Sequence, residues 1–143
     1  MSDKYDVLKL ENQLCFPLYA AARKIVQKYT PMLKELDLTY TQYLVMMVLW
    51  ECGQISVGEL GKKLFLDTGT LSPLLKSMEA KNLLERNRDK MDERSVNIVI
   101  TRYGESLKEK AVEIPMKMFK CVNLTSEQAK SLYTILYGIL LDA

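Results

Sequence analysis

The stretch from residue 56 to residue 100 carries two helix starts and two strand patterns at close spacing. Ser56 and Glu59 form an S-x-x-E pair, which is typical of a helix N-terminus. A second start follows at Asp67 or Thr68, and apolar residues recur behind it at helical spacing. LLERNR and SVNIVI are short strand candidates, and the charged tip DKMDER lies between them. These patterns predict a helix, a tight turn, a second helix and a β-hairpin.

This order of elements is that of a winged helix-turn-helix, whose second helix enters the major groove of DNA. The hairpin, or wing, then reaches the flanking backbone or the minor groove. Polar residues at the start of the second helix would face bases or phosphates, and basic residues beyond them would supply positive charge. The first group is Asp67, Thr68, Thr70 and Ser72, with Lys76 one turn later; the second group, on the wing, is Arg86, Arg88, Lys90 and Arg94.

Charge alone does not establish DNA binding. Residues 76–94 hold six Lys or Arg against five Asp or Glu, and the net charge of the chain is only +2. The same polar residues would suit the solvated surface of an ordinary helical domain. Winged domains also act as plain protein-interaction modules, so both alternatives stay open at this point.

Amphipathic helices are predicted before this stretch. Residues 10–30 repeat apolar residues at steps of three and four. Pro17 predicts either an early kink or a helix that begins close to Cys15. Thr39 and Gln42 then form a capping box before a nearly all-apolar run, which predicts a helix at the centre of the core.

Two further helices are predicted after the hairpin. Thr101 caps the first, which Pro115 should kink, and a capping box at Thr125 opens the second. The prediction is one domain over residues 1–143, mainly α-helical with a small β-hairpin wing (α+β). Residues 39–100 form its winged helix-turn-helix region.

The absence of histidine excludes several kinds of catalytic site, among them Ser-His-Asp and Cys-His sites and HExxH zinc sites. The six glycines form no phosphate-binding loop, so we expect no nucleotide cofactor. Cys15, Cys52 and Cys121 lack CxxC spacing, which indicates neither a zinc knuckle nor a disulfide scaffold, and we interpret Cys52 as structural. Without an apolar span or a signal-peptide pattern, we expect a cytoplasmic protein with no membrane partner.

The run FLDTGTLSPLLKSMEAKNLLERNRDKMDERSVNIVIT closely resembles the recognition helix and wing of the MarR family of bacterial transcription regulators. The resemblance implies that Arg94 enters the minor groove and that Asp92 helps to hold the wing tip. Residues 9–51, with NQLCF and LTYTQYL, resemble the organic hydroperoxide resistance regulators of that family. Those proteins are homodimers with interlocking first and last helices, which implies dimerisation here through residues 10–35 and 101–143.

The same resemblance implies roles for two cysteines and several tyrosines. Cys15 matches the sensing cysteine of that branch, and Tyr29 and Tyr40 match tyrosines that hydrogen-bond the sensor thiolate from the other subunit. Tyr19 lies four residues after Cys15 and can share its helix face. Cys121 lies close to a resolving thiol found in some members, whereas others couple the sensor to a small thiol.

A peroxide is attacked by the thiolate, so a sensing cysteine needs that charged form to be stabilised. The apolar neighbours Leu14 and Phe16 oppose this by desolvation, and a helix N-terminus or hydroxyl donors would compensate. We therefore expect a repressor that binds a pseudo-palindromic double-stranded operator when reduced and releases it when an organic hydroperoxide oxidises Cys15. The alternatives are a repressor released by an apolar or phenolic ligand at the dimer interface, a thiol peroxidase, and an interaction module that does not bind DNA.

Overall fold

The computed structural model describes residues 3–92 and 95–142, which form a mainly helical fold with a small antiparallel sheet. Two short 3₁₀ turns, Asp6–Leu8 and Leu10–Asn12, come first. The helices are α1 (Cys15–Lys34), α2 (Tyr40–Cys52), α3 (Val57–Leu64), α4 (Thr68–Ala80), α5 (Arg102–Ser106), α6 (Lys108–Ala111), α7 (Ile114–Cys121) and α8 (Ser126–Leu141). The strands are β1 (Gln54–Ser56), β2 (Leu84–Arg88) and β3 (Val96–Ile100). The predicted fold class is confirmed.

Both predicted capping boxes form at the start of the long helices. Thr39 Oγ1 accepts from the Gln42 N–H at 3.3 Å, and Gln42 Oε1 accepts from the Thr39 N–H at 3.1 Å. Thr125 and Gln128 repeat this arrangement at α8, with both distances between 3.0 and 3.1 Å. Two of the otherwise unpaired N–H groups are thereby satisfied at each start.

The caps of the two short helices differ from the prediction in one respect. Ser56 accepts from the Glu59 N–H at 3.1 Å, but the Glu59 carboxylate pairs with Lys62 at 3.4 Å. Among the described residues the S-x-x-E box is therefore only half formed. At α4 the cap is Asp67, whose carboxylate accepts from the Thr70 N–H at 2.7 Å.

The sheet has the strand order β1-β3-β2, with antiparallel pairing throughout. Ile98, in the middle of β3, pairs with Ile55 of β1 and with Arg86 of β2, and its side chain is fully buried. Strands β2 and β3 are the predicted hairpin. Strand β1 was not predicted, because its three residues follow directly on α2 and are too few to show an alternating pattern.

The core forms around α2, α4 and the sheet, with contributions from α1, α3 and α7. Helix α2 buries Val45, Met46 and Leu49 completely, which confirms its predicted central position. Leu71 and Leu75 of α4 pack into the same cluster, each 1% exposed. The recognition-like helix is thus fixed to the core by one face, and its polar face points away.

Two of the predicted flanking helices are divided differently in the structure. Helix α1 begins at Cys15, which confirms the second of the two alternatives that Pro17 predicted, and residues 10–14 are not part of it. Pro17 lies in the first turn, where its missing N–H leaves no helical bond unmade. The predicted kinked helix after Thr101 is instead three short helices, α5, α6 and α7. Pro115 is at the start of α7, since proline suits the first turn of a helix.

Within residues 3–92 and 95–142, no helix has both the length and the apolarity that crossing a membrane requires.

Gly104 in α5 is buried against α2 and is the place where an added methyl group would be most disruptive. A Cβ there would overlap the Leu83 carbonyl oxygen and lie 3.1 Å from Met46 Cε, so Gly104→Ala should lower the free energy of unfolding by about 1–3 kcal/mol. Gly58→Ala in α3 is the matched control, because a Cβ at Gly58 meets no atom within 4 Å. Urea denaturation measures both, and equal losses would contradict this packing.

Candidate functional site

Cys15 is the first residue of α1, and its thiol is free and exposed. Leu14, before it, has a helical backbone, and no side chain caps the helix. The N–H groups of the first turn, including that of Cys15, therefore carry the partial positive charge of an uncapped helix start, which favours an anion. Leu14 and Phe16 are 85% and 45% exposed, so the thiol stands on an apolar surface.

Three tyrosines pack together where α1 meets α2, and we call Tyr29, Tyr40 and Tyr43 the tyrosine cluster. Ring centroids lie 4.8 Å apart for Tyr29 and Tyr40, 5.9 Å for Tyr29 and Tyr43, and 6.3 Å for Tyr40 and Tyr43. Burial raises the pKa of each hydroxyl, and for Tyr43 the pKa reaches about 12. The cluster therefore holds neutral hydroxyl groups that can donate hydrogen bonds to an anion.

Cys15 and the tyrosine cluster lie far apart within one chain. Cys15 and Tyr29 are fourteen residues apart on the same helix, which corresponds to about 21 Å along its axis. Tyr19 is one turn from Cys15, and the Arg23 guanidinium lies 5.4 Å from its ring centroid. Of the three tyrosines predicted to contact the thiolate, only Tyr19 is near Cys15 of its own chain.

Cys121 lies at the tyrosine end of α1. It is the last residue of α7 and is exposed, and its backbone carbonyl accepts from Lys28 Nζ at 2.9 Å. Lys28 precedes Tyr29 on α1. The predicted resolving thiol and the cluster therefore occupy the same end of α1, away from Cys15 of the same chain. Cys52 donates to the Val48 carbonyl within α2.

A large apolar surface runs over the outer faces of the terminal helices. None of the sixteen residues of α8 is buried, and Ile135 and Ile139 are each 60% exposed. In α7, Met116 and Phe119 are 68% and 65% exposed. An apolar surface of this extent on an isolated chain marks a protein interface.

Some of the predicted DNA-contact residues have exposed side chains, and others are already engaged in hydrogen bonds within the protein. Those of Thr68, Thr70, Ser72 and Lys76 are exposed along α4, and those of Arg88 and Lys90 are exposed on the hairpin. The Asp67 carboxylate is occupied as the α4 cap, and the hydrogen bonds from Thr70 lower its pKa. Between the start of α4 and the sheet lies a cleft of about 350 Å³, lined in part by Thr68, Ser72 and Ser95.

Arg86 differs from the other basic residues of the hairpin. Its Nη2 and Nε atoms lie 3.0 and 3.2 Å from Glu79 Oε1, and its backbone N–H donates to Glu79 Oε2 at 3.0 Å. These bonds from Arg86 lower the pKa of Glu79. Arg86 therefore links β2 to α4, and the structure does not present it as a free cation for DNA.

The wing tip is closed by Asp92 and Ser95. Ser95 Oγ lies 3.3 Å from Asp92 Oδ2, and the Ser95 N–H donates to the Asp92 carbonyl at 3.0 Å. Support of the wing by Asp92 stays a prediction. Arg94 lies outside the described residues. Across the described part of the chain, no group of three or more His, Cys, Asp or Glu side chains could hold a metal ion.

Comparison with known proteins assigns the chain to a family. The family model described as transcriptional regulator SarA/Rot matches residues 27–111. The organic hydroperoxide resistance transcriptional regulator of Bacillus subtilis (strain 168) is 46% identical over 140 residues, which cover 98% of this chain and 95% of that protein. The chain belongs to the MarR family of transcriptional regulators, in its organic hydroperoxide resistance branch.

Other members of this family are also similar along most of their length. The HTH-type transcriptional regulator SarZ of Staphylococcus aureus (strain USA300) is 41% identical, covering 86% of this chain and 83% of that protein. AbfR of Staphylococcus epidermidis has been solved in its reduced form bound to DNA. This chain superposes on that structure with a TM-score of 0.79 at 32% identity, and the match covers 98% of both chains. AbfR has also been solved overoxidised on DNA, with a TM-score of 0.79, and as the disulfide form, with a TM-score of 0.68.

The sequence predicted no role at the site for three residues that the structure places close to the tyrosine cluster or Cys121. Tyr43 belongs to the tyrosine cluster but stands in an apolar run, so its pattern indicated only a core position. Lys28 and Gln42 make contacts with residues 93 and 35 positions away, respectively. Contacts of that sequence separation leave no signal in a single sequence.

The raised pKa of Tyr43 predicts a stability loss at alkaline pH. The unfolded chain loses this proton near the ordinary pKa of 10.0, while the folded protein keeps it until about 12. The free energy of unfolding should therefore be unaffected below pH 10 and fall between pH 10 and pH 12. Tyr43→Phe should reduce that fall, as measured by chemical denaturation across this range. Tyr103→Phe, which removes an exposed hydroxyl outside the cluster, should leave it as in the wild type; equal effects would refute the assignment.

Proposed function

We propose that this regulator is a homodimeric repressor that binds operator DNA when reduced and releases it when an organic hydroperoxide oxidises Cys15. The observation that carries the proposal is the placement of groups along α1. Cys15 is at one end, and the tyrosine cluster and Cys121 are towards the other; Tyr29 is about 21 Å from Cys15 along the helix axis. A complete sensing site therefore requires Cys15 from one subunit and the tyrosines from another.

A twofold dimer would bring the two halves of the site together. If the first helices of two subunits lie antiparallel across a twofold axis, each Cys15 reaches the tyrosine end of the partner's α1, and two identical sites form. The exposed apolar faces of α1, α7 and α8 support this, because they need a partner surface of the same character. Residues 10–35 and 101–143 are accordingly proposed as the dimerisation helices.

The proposed oxidation of Cys15 and the disulfide formation that follows are two separate steps. The Cys15 thiolate attacks the terminal oxygen of the hydroperoxide, the O–O bond breaks, and the alkoxide takes a proton and leaves as an alcohol, so that Cys15 becomes a sulfenic acid. Cys121 of the partner subunit, as its thiolate, then attacks the sulfenic sulfur. A disulfide forms, and hydroxide leaves and is protonated to water. In the reduced state, Tyr19, with Tyr29 and Tyr40 of the partner subunit, would hydrogen-bond the thiolate.

The AbfR structures support release at the disulfide stage. That protein is bound to DNA both when reduced and when overoxidised, and this chain superposes on both forms better than on the disulfide form. Disulfide formation across the dimer would move the two recognition helices apart or rotate them, and half-sites one helical turn apart tolerate little such change.

The DNA-binding surface is proposed to consist of the start of α4 and the hairpin. Thr68, Thr70 and Ser72 would contact bases or phosphates, Lys76 a phosphate, and Arg88 and Lys90 the flanking backbone. Arg94, by its resemblance to the family's wing arginine, would enter the minor groove. Known relatives are transcriptional regulators, and we propose that oxidation is a single switching event without enzymatic turnover, in the cytoplasm where the operator is located.

Operator binding before and after a stoichiometric organic hydroperoxide tests the redox switch. The wild type should lose affinity by about tenfold or more on oxidation, whereas Cys15→Ser should bind equally well in both conditions. Cys121→Ser should become oxidised without forming a disulfide between chains. If Cys15→Ser releases DNA like the wild type, the ligand-released repressor is favoured instead, with the cleft of about 310 Å³ beside Tyr40 as the place for its ligand.

Mixed dimers provide the control for the position of the disulfide. One subunit carries Cys15→Ser and the other Cys121→Ser, so each mixed dimer keeps one complete pair between chains. Oxidation should join the two chains in the mixed dimers, as in the wild type, but in neither homodimer of the single variants, as seen by non-reducing electrophoresis. A cross-link in the Cys121→Ser homodimer would show that another thiol resolves the sulfenic acid.

Arg86 and Arg88 both lie on β2, so the two arginines can be compared as test and control. Arg88→Ala should weaken operator binding and reduce the slope of log affinity against log salt concentration by about one, because one phosphate contact is lost. Arg86→Ala should leave this slope unchanged and lower thermal stability instead, since it removes the partner of Glu79. A similar change of slope in both variants would show that the Glu79 contact is exchanged for DNA.

A further inference from the structure

Gln42 is a buried polar residue, 4% exposed, and both the oxygen and the nitrogen of its side-chain amide are hydrogen-bonded. Its Oε1 accepts from the Thr39 N–H and from Lys81 Nζ, each at 3.1 Å. Its Nε2 donates to Ser77 Oγ at 3.1 Å. One amide thus completes the cap of α2 and binds two residues from another part of the chain.

These bonds join the start of α2 to the end of α4. Gln42 is two residues after Tyr40 and directly before Tyr43, so it lies in the turn of α2 that carries two members of the tyrosine cluster. Ser77 is in the last turn of α4, and Lys81 is the residue that follows the helix. The network therefore spans the distance between the proposed sensing site and the recognition helix.

A second contact fastens the same end of α4 to the loop after α1. Lys81 Nζ donates to the Asp37 carbonyl at 2.7 Å and lies 3.7 Å from the Asp37 carboxylate. Asp37 has a left-handed backbone with a φ of 53°. The end of α1, the start of α2 and the end of α4 thus meet at Lys81 and Gln42. We call Asp37, Thr39, Gln42, Ser77 and Lys81 the Gln42 network.

The Gln42 network favours movement of α2 and α4 together over independent movement of either helix. Breaking the contact to Ser77 would leave the poorly solvated Nε2 of Gln42 without an acceptor, which is costly in a low-dielectric interior. Loss of Lys81 would leave Gln42 Oε1 with one donor instead of two. A displacement of Tyr40 that shifts the first turn of α2 would therefore carry the end of α4 with it. On its other side, α4 is held through Glu79 to β2, so the shift would tilt the helix.

We propose that Gln42 is a positioning residue that transmits the oxidation state of the sensing site to α4 through Ser77 and Lys81. This inference rests on the proposed function. Gln42 contacts neither the hydroperoxide nor DNA in this scheme. Its effect is on the ratio of operator affinities in the two oxidation states, since coupling between two sites is a property of that ratio.

Two substitutions distinguish the proposed role of Gln42 in coupling the sensing site to α4 from its role in capping α2. Ser77→Ala removes the acceptor on α4 and leaves the cap of α2 intact. Gln42→Glu keeps an oxygen for the Thr39 N–H and for Lys81 but cannot donate to Ser77. Ser106→Ala is the matched control, because Ser106 Oγ donates to the carbonyl three residues earlier, as Ser77 Oγ does, but lies in α5, outside the network.

The measurement is operator affinity before and after hydroperoxide, with Cys15 oxidation and melting temperature followed in the same samples. We expect Ser77→Ala and Gln42→Glu to reduce the wild-type affinity ratio by about tenfold, non-additively in the double variant, while Cys15 is oxidised normally. Ser106→Ala should keep the wild-type ratio. If Ser77→Ala and Gln42→Glu lower the melting temperature or both affinities but keep the ratio within about twofold, the network is only structural and the inference is overturned. Absence of release by the wild type would instead overturn the proposed function itself.

Discussion

The length and rigidity of α1 are the constraint on which the proposed switch depends. A continuous helix from Cys15 to Lys34 fixes the thiol and Tyr29 about 21 Å apart, and no side-chain rotation can close that distance. In the proposed scheme, a chain acting alone would have a sensing thiol with only Tyr19 nearby as a hydroxyl donor, and a set of tyrosines without an anion. In this scheme the dimer is part of the proposed site as well as a means of presenting two recognition helices.

Helix α2 connects the other parts of this scheme because its residues serve several purposes at once. Its middle turns fill the core, its first turn carries two of the clustered tyrosines, and its capping residue Gln42 reaches α4. In the proposed scheme, oxidation of the Cys15 thiol that the tyrosine cluster contacts therefore acts on a helix that cannot adjust locally without affecting the core or the recognition helix. Population shifts between two packed arrangements are the expected response of such a structure, since close-packed cores do not deform continuously.

The parts of the fold that depend on local contacts were predictable from the sequence. Both capping boxes involve residues three apart, and the hairpin follows from the alternation of β3 and the polar tip. Strand β1 was missed because it is three residues long and pairs with a strand more than forty residues later. The break between α5, α6 and α7 was anticipated only as a kink, because helical spacing continues across it in the sequence.

For the site as well, features that depend on residues distant in the sequence could not be predicted. Cys15, Tyr29 and Tyr40 were identified by resemblance. The distance between Cys15 and Tyr29 could not be predicted, because it depends on where α1 begins, and Pro17 left two positions for that start open. Arg86 was grouped with the other wing cations because charge patterns do not show pairing. Its carboxylate partner, Glu79, lies across the turn between α4 and β2, so only the folded chain shows that this cation is neutralised.

The apolar residues beside Cys15 now have a physical explanation. In a single chain Leu14 and Phe16 stay largely in contact with water, which is unfavourable and leaves the thiol open to any oxidant. In the dimer the partner surface would cover them, and the space left at the thiol would have apolar walls and tyrosine hydroxyls. A hydroperoxide with a hydrocarbon tail can bury that tail against these walls, whereas hydrogen peroxide gains nothing from them. The residues that favour dimerisation would thus also select the oxidant, so that selectivity and assembly arise from the same surface.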